Sequence, residues 1–258
     1  VPENNLNYPL LLLWETGSCG SGFCIHNTKG LFLITAKHVL FKEQGKSGEL
    51  IGKKLKIFSY CQEVDEPQIS EIDFSIFPKE NLKKSAEHDV AILSIGPLEP
   101  IKDSSRSKVK AVTGYKITQH PKDHVGLYGA NEKILRLFKD VPTGNDVVIF
   151  GYPVSLGDSG EIEPLRPLLR RGSIAGKNYI NKTIILDCPV YQGNSGGLAL
   201  EIEQVRIGAY EAHVVGVISK FVPFKEILES KHFGYKNSNV ENSGYSIVTP
   251  ADTILELL

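Results

Sequence analysis

Residues 189–200 read PVYQGNSGGLAL, a Gly-Asn-Ser-Gly-Gly turn set between two apolar runs. A serine among glycines is either a plain connector or a hydroxyl presented to another molecule. The connector needs nothing else from the chain. The presented hydroxyl needs a base, because a hydroxyl is a poor nucleophile at neutral pH. Imidazole is the side chain whose ordinary titration range suits that task. The imidazole in turn needs a carboxylate on its other nitrogen, to fix the tautomer and stabilise the imidazolium.

Two upstream stretches carry those groups. GLFLITAKHVL at 30–40 ends an apolar strand pattern in a small residue, Lys37 and then His38, and HDVAILSI at 88–95 places Asp89 ahead of another apolar run. Taken singly, a histidine at a strand end, an aspartate at a strand start and a serine in a turn are ordinary structural residues. Taken together, His38, Asp89 and Ser195 supply nucleophile, base and orienting carboxylate, each at the edge of an apolar strand. The glycines add a further element. Gly193 lets the backbone turn so that its N–H and that of Ser195 converge, as a developing oxyanion requires, while Gly196 and Gly197 permit close approach of neighbouring chain.

The rest of the sequence predicts a β-rich frame for these residues. Short runs rich in Val, Ile, Leu, Phe and Tyr, separated by Gly, Pro, Asn or Asp, recur along the chain. YPLLLLWE, GSGFCIH, GLFLITA, KLKIFSYC, ISEIDFSIF and DVAILSI form a first set of six. DVVIFGYPV, RRGSIAG, TIILDCP, LALEI, HVVGVISKF and SGYSIV form a second. This spacing is that of antiparallel barrels. The expected fold is all-β: a double six-stranded antiparallel β-barrel, residues 1–101 carrying His38 and Asp89, residues 145–258 carrying Ser195. Between them, 102–144 reads as a polar connector with one helical pattern, ANEKILRLFKDV, and ADTILELL after Pro250 reads as a closing helix with an acidic first turn.

Composition narrows the classes of function. The 258 residues are 41% hydrophobic and 23% charged, with a net charge of −1 and scattered Lys and Arg, which argues against a nucleic-acid surface. PLLLLW at 9–14 is too short to span a membrane. The four cysteines, at 19, 24, 61 and 188, match no zinc spacing and read as small buried apolar side chains. His120 and His124 sit four apart, but Pro121 breaks a helix between them, and they read as a surface turn rather than a metal site. No cofactor, metal or membrane partner is expected, a monomer is the default, and isolated thiols fit a cytoplasmic setting.

GSGF, ITAKHV, HDVAIL and GNSGG, in that order, resemble the trypsin-like serine peptidases, in particular their bacterial, HtrA-type branch. VVGVISKF at 214–221 is similar to that family's cleft strand, and NSGYSIVTPADTILELL at 242–258 to its final strand and helix. The resemblance implies His38 as general base, Asp89 as orienting carboxylate, Ser195 as nucleophile, the Gly193 and Ser195 amides as oxyanion hole, and a protein or peptide substrate flanked by Ser219, Lys220 and Phe221. It implies activity that rises with pH as the imidazole loses its proton. Two departures matter. Asn194 stands where digestive members carry an aspartate that pairs with a freed N-terminus, so this site is expected to assemble without such cleavage. Val39 stands where secreted members carry a cysteine. The family's primary-pocket position, six residues before the serine, is Pro189, which implies cleavage after small or medium apolar residues.

Two other readings compete. GNSGG also fits the Gly-x-Ser-x-Gly elbow of α/β-hydrolases, but that elbow leads into a helix within βαβ units, and GGLALEIEQV reads as a strand. The second is a protease fold serving as a catalytically silent or latent binding module.

Overall fold

The computed structural model describes residues 5–100, 107–120, 127–230, 232 and 234–258. In the N-terminal half the strands are β1 (Pro9–Trp14), β2 (Cys19–Asn27), β3 (Gly30–Thr35), β4 (Lys54–Cys61), β5 (Glu66–Asp73), β6 (Leu82–Lys84) and β7 (Ala91–Gly96). A short β8 (Leu98–Pro100) pairs with β9 (Ser107–Val109), and β10 (Tyr115–Gln119) and β11 (Gly129–Asn131) follow. The main sheet runs β10-β5-β4-β1-β2-β3-β7-β6, with β11 joined to β2 in parallel. In the C-terminal half, β12 (Asp146–Gly151), β13 (Leu168–Asn178), β14 (Thr183–Asp187), β15 (Leu198–Arg206), β16 (Ala209–Ser230) and β17 (Tyr235–Pro250) close a six-stranded barrel in the order β12-β13-β14-β17-β16-β15. A single helical turn α1 (Lys37–Leu40) follows β3, and α2 (Ala251–Leu257) ends the chain.

The burial of each strand follows from what covers its faces. Along β5 burial alternates, as in a strand with one wet face. All six residues of β3 are buried, because other chain covers both of its faces. One hydrophobic cluster joins the halves: Leu12, Phe23, Ile34 and Ile92 from the first, with Phe150, Leu198 and Val217 from the second. Ile254 of α2 belongs to the same cluster, and Lys29 and Lys83 donate to the carbonyls of Leu258 and Leu257. The closing helix, though C-terminal, is thereby fastened to the N-terminal half.

The twelve expected strands are all present, and so is the closing helix. The segment expected to be a connector differs. Its strands β10 and β11 extend the first sheet. In place of the helix expected over ANEKILRLFKDV stand two 3₁₀ turns, Glu132–Ile134 and Phe138–Asp140. The backbone there bonds outward: Arg136 N–H donates to Val214 carbonyl and Phe138 N–H to Asp252 Oδ2. Those amides are then lost to an i→i−4 ladder. His120, read as part of a surface turn, is exposed, and His124 lies outside the described residues.

Candidate functional site

His38 sits on α1, directly after the buried strand β3. The turn is held from behind by Trp14, whose indole N–H donates to Val39 carbonyl at 2.7 Å from a fully buried position. Asp89 lies in the loop before β7 and makes two contacts with His38. Oδ2 is 2.7 Å from ring Nδ1, and Oδ1 accepts the backbone N–H of His38 at 3.0 Å. Burial pushes the Asp89 carboxyl up. The hydrogen bonds from the His38 ring and amide, with the charges of His38 and Lys37, outweigh that and hold it below the ordinary carboxylate value. An ionised carboxylate only accepts, so Nδ1 carries the proton and the lone pair of the neutral ring lies on Nε2.

Ser195 reaches the same groove from the other half. The turn 191–197 is fixed by bonds within itself, by Ser21 of β2, and by Ile218 of β16, whose carbonyl accepts Gly196 N–H at 2.7 Å and whose N–H donates to Gly197 carbonyl at 2.9 Å. Asn194 N–H donates to Tyr191 carbonyl, Tyr191 N–H donates to Asn194 Oδ1 at 3.1 Å, and Gly197 N–H donates to Asn194 carbonyl. Ser21 Oγ donates to Gly193 carbonyl at 2.6 Å and accepts Tyr152 N–H, while Ser21 N–H donates to Ser195 carbonyl. Gly193 and Gly196 have φ of +101° and +87°, a region that disfavours side chains. A Cβ on Gly193 would strike Tyr152 carbonyl, and one on Gly196 would strike Ser21 carbonyl and Thr35 Oγ1. Ser21 stands within the quoted GSGF stretch, but sequence alone gave it no role; a small polar residue between two glycines on a strand was its only signal.

The turn also presents two amides. Gln192 carbonyl accepts from Ser155 N–H and Oγ at 3.4 and 3.3 Å. The Gln192–Gly193 peptide is trans, so the Gly193 N–H points away from Ser155. Among the described residues neither the Gly193 nor the Ser195 N–H has an acceptor.

A groove of ≈ 1600 Å³ contains His38, Asp89 and Ser195 in its lining, together with Ser219, Lys220 and Phe221. Pro189, expected to line a side-chain pocket, is not in that lining; its neighbour Val190 is, beside Ile185 and Ile247. The hydroxyl of Ser195 donates to Ser219 carbonyl at 3.1 Å, and among the described residues it has no bond to His38. Ser219 Oγ is engaged separately, 2.8 Å from Thr249 Oγ1. After Ser195 the chain runs into strand β15, not a helix, which removes the α/β-hydrolase reading. The cysteines are unpaired. Burial pushes Cys188 up to about 11 and Cys24 still higher, so neither is a ready thiolate. Among the described residues no cluster of metal-ligating side chains occurs, and no helix is long and apolar enough to cross a membrane.

Residues 20–208 match the family described as "Trypsin-like peptidase domain". No curated protein matches the chain. Among solved structures, the chain is similar to Deg5 at 16% identity, TM-score 0.53, covering 98% of this chain and 88% of that one. It is also similar to a thermostable serine protease AL20 from an extremophilic microorganism, at 12% identity, TM-score 0.54, covering 98% and 95%. The likeness to the HtrA-type protease AlgW, at 17% identity and TM-score 0.49, covers 97% of this chain and 58% of that one, so the chain spans little more than half of that protein's length.

Proposed function

The chain belongs to the trypsin-like peptidase domain family, and on that premise we propose that it is a serine endopeptidase acting through Ser195, His38 and Asp89. The observation that carries this reading is the two-point hold of Asp89 on His38, which fixes the imidazole with Nδ1 protonated in the groove that also contains Ser195. In the proposed reaction Ser195 Oγ attacks the scissile carbonyl carbon and its proton passes to His38 Nε2. The carbonyl oxygen becomes an oxyanion held by the Gly193 and Ser195 amides. The C–N bond then breaks, and His38 returns the proton to the leaving amine. Water enters, gives a proton to His38 and attacks the acyl-enzyme; the acyl–oxygen bond then breaks, and His38 returns that proton to Ser195 Oγ, restoring both residues.

The walls near Ser195 support cleavage after apolar residues of small or medium size, with Val190, Ile185 and Ile247 in place of the expected Pro189. The bond between Asn194 and Tyr191 gives the turn a local fastening, which supports assembly without a freed N-terminus.

One observation favours a second reading, that of a latent or silent module: Ser195 points to Ser219 carbonyl rather than to the imidazole. Attack requires the hydroxyl to turn toward His38, a change of one staggered rotamer about a single side-chain bond. A fluorophosphonate probe with mass mapping separates the two. Under the active reading the adduct sits on Ser195, and Ser195→Ala abolishes both labelling and peptide hydrolysis, with a rate loss of at least about 10³-fold. An unlabelled protein, with or without peptide present, is the result expected of the silent module.

A further inference from the structure

Charge is distributed unevenly between the whole chain and its groove. The protein carries a net charge of −1, yet Lys37, Lys46 and Lys84 stand on the His38 side of the groove and Lys220 on the Ser195 side. Against them the lining offers two carboxylates, Glu87 and Asp89, and Asp89 is already held by His38. Two of the lysines are anchored by uncharged partners. Lys37 Nζ donates to Ser85 carbonyl at 3.0 Å, and Lys84 Nζ lies 4.2 Å from the centre of the Phe41 ring. None of the four forms an ion pair with a carboxylate among the described residues; the exposed lysine pairs of the molecule, such as Lys42–Glu49 and Lys110–Glu99, lie elsewhere. Positive charges on both walls of a concave surface reinforce one another, because low-dielectric walls focus the field into the groove.

We propose that the groove selects peptide segments carrying Asp or Glu within about three residues of the scissile bond, with Lys46 and Lys84 as specificity determinants. The inference rests on the peptidase reading and adds a substrate class to it. The apolar side chain enters beside Val190, and the acidic residues lie along the lysine-bearing walls. Lys46 and Lys84 are exposed and belong to neither the triad nor the amide pair, so they report selectivity separately from chemistry. Exposed charge pairs each contribute a factor of about 1.4 to 5, so several acting together give a preference on the order of tenfold.

The test uses matched ten-residue peptides with Ala or Val before the scissile bond and either Glu or Gln at the flanking positions. The expected kcat/KM ratio of Glu to Gln peptides is about tenfold at roughly 0.1 M salt, collapsing toward unity at about 1 M, where the screening length falls to about 3 Å. In K46Q/K84Q the ratio falls several-fold, and in K46R/K84R, which keeps both charges, it is retained. The same peptides, fluorescently labelled, are titrated onto Ser195→Ala, where the Glu series binds more tightly by a similar factor. Equal turnover and equal binding of the two series would overturn the proposal even if Ser195 is labelled. A binding preference without labelling would sustain it while overturning the peptidase reading.

Discussion

At Ser195 the decisive feature is how little freedom its neighbours have. Gly196 lies against Ser21 carbonyl and Thr35 Oγ1 at a φ that side chains avoid. Gly196→Ala is therefore expected to lower unfolding free energy by about 2–4 kcal/mol and to abolish probe labelling, checked by urea titration alongside fluorophosphonate reactivity. Asp89 offers a prediction with a definite sign. Its carboxyl is pushed up by burial but pulled further down by His38 and Lys37, ending below its ordinary value of 3.8. A group with a depressed folded-state pKa stabilises the fold above its unfolded value and loses that contribution as pH falls through the folded value. The stability advantage of the native protein over Asp89→Asn should thus be constant near neutral pH and shrink below about pH 4, measured by urea midpoints at each pH. An advantage that grew on acidification would contradict the assigned direction. At neutral pH the same variant should lose about 10³- to 10⁴-fold in kcat, because its amide cannot hold Nδ1 protonated as a carboxylate does.

At the scale of elements, the segment between the halves is the informative one. ANEKILRLFKDV has helical periodicity, but its amides are taken by Val214 and Asp252, and Arg136 reaches Glu201, a fully buried carboxylate, at 2.9 and 3.0 Å. Asn145 donates to Glu201 as well, and Arg136 also pairs with Glu203. Removing one member of a buried pair leaves the other charge uncompensated. Arg136→Met is expected to cost about 3–5 kcal/mol, and the double variant Arg136→Met/Glu201→Gln distinctly less than the sum of the two single changes, read from a double-mutant cycle in urea. Additive losses would show that the pair does not act as a unit. The other unforeseen element is the β16–β17 hairpin, which continues outward past Phe221 to the pair Ser230–Tyr235 with Phe224, Ile227, Leu228 and Val240 exposed. Its polar sequence, KEILES and KNSNV, breaks the alternation by which the barrel strands were recognised.

At the scale of the whole molecule, the two halves share one groove and one hydrophobic cluster, while the interior of the C-terminal barrel forms a second cluster of its own around Val147, Ile149, Leu186 and Val248. Phe150, Leu198 and Val217 of the C-terminal half pack in the cluster that holds the N-terminal strands, and Ile254, fully buried, brings α2 into it. Ile254→Ala is expected to destabilise by about 2–5 kcal/mol. Because the shared cluster spans both halves, unfolding should remain a single transition by calorimetry and by Trp14 fluorescence; two resolved transitions would show that the halves fold separately.

The sequence by itself determined twelve of the strands and the closing helix, and it offered the three side chains of the candidate site; it did not mark β6 or β8 to β11. What it supplied rests on local chemistry: an apolar alternation, a Pro-led acidic first turn, a glycine-flanked serine. Only the tertiary structure decided what required a distant partner. It placed Ser21 behind the Ser195 turn, put Val190 rather than Pro189 in the groove, turned the Ser195 hydroxyl to Ser219, and drew the expected connector helix out into bonds with Val214 and Asp252. The reason is physical. Backbone amides and small polar side chains go to whichever acceptor the fold brings within about 3 Å, and that acceptor is fixed by packing between segments that the linear order does not bring together.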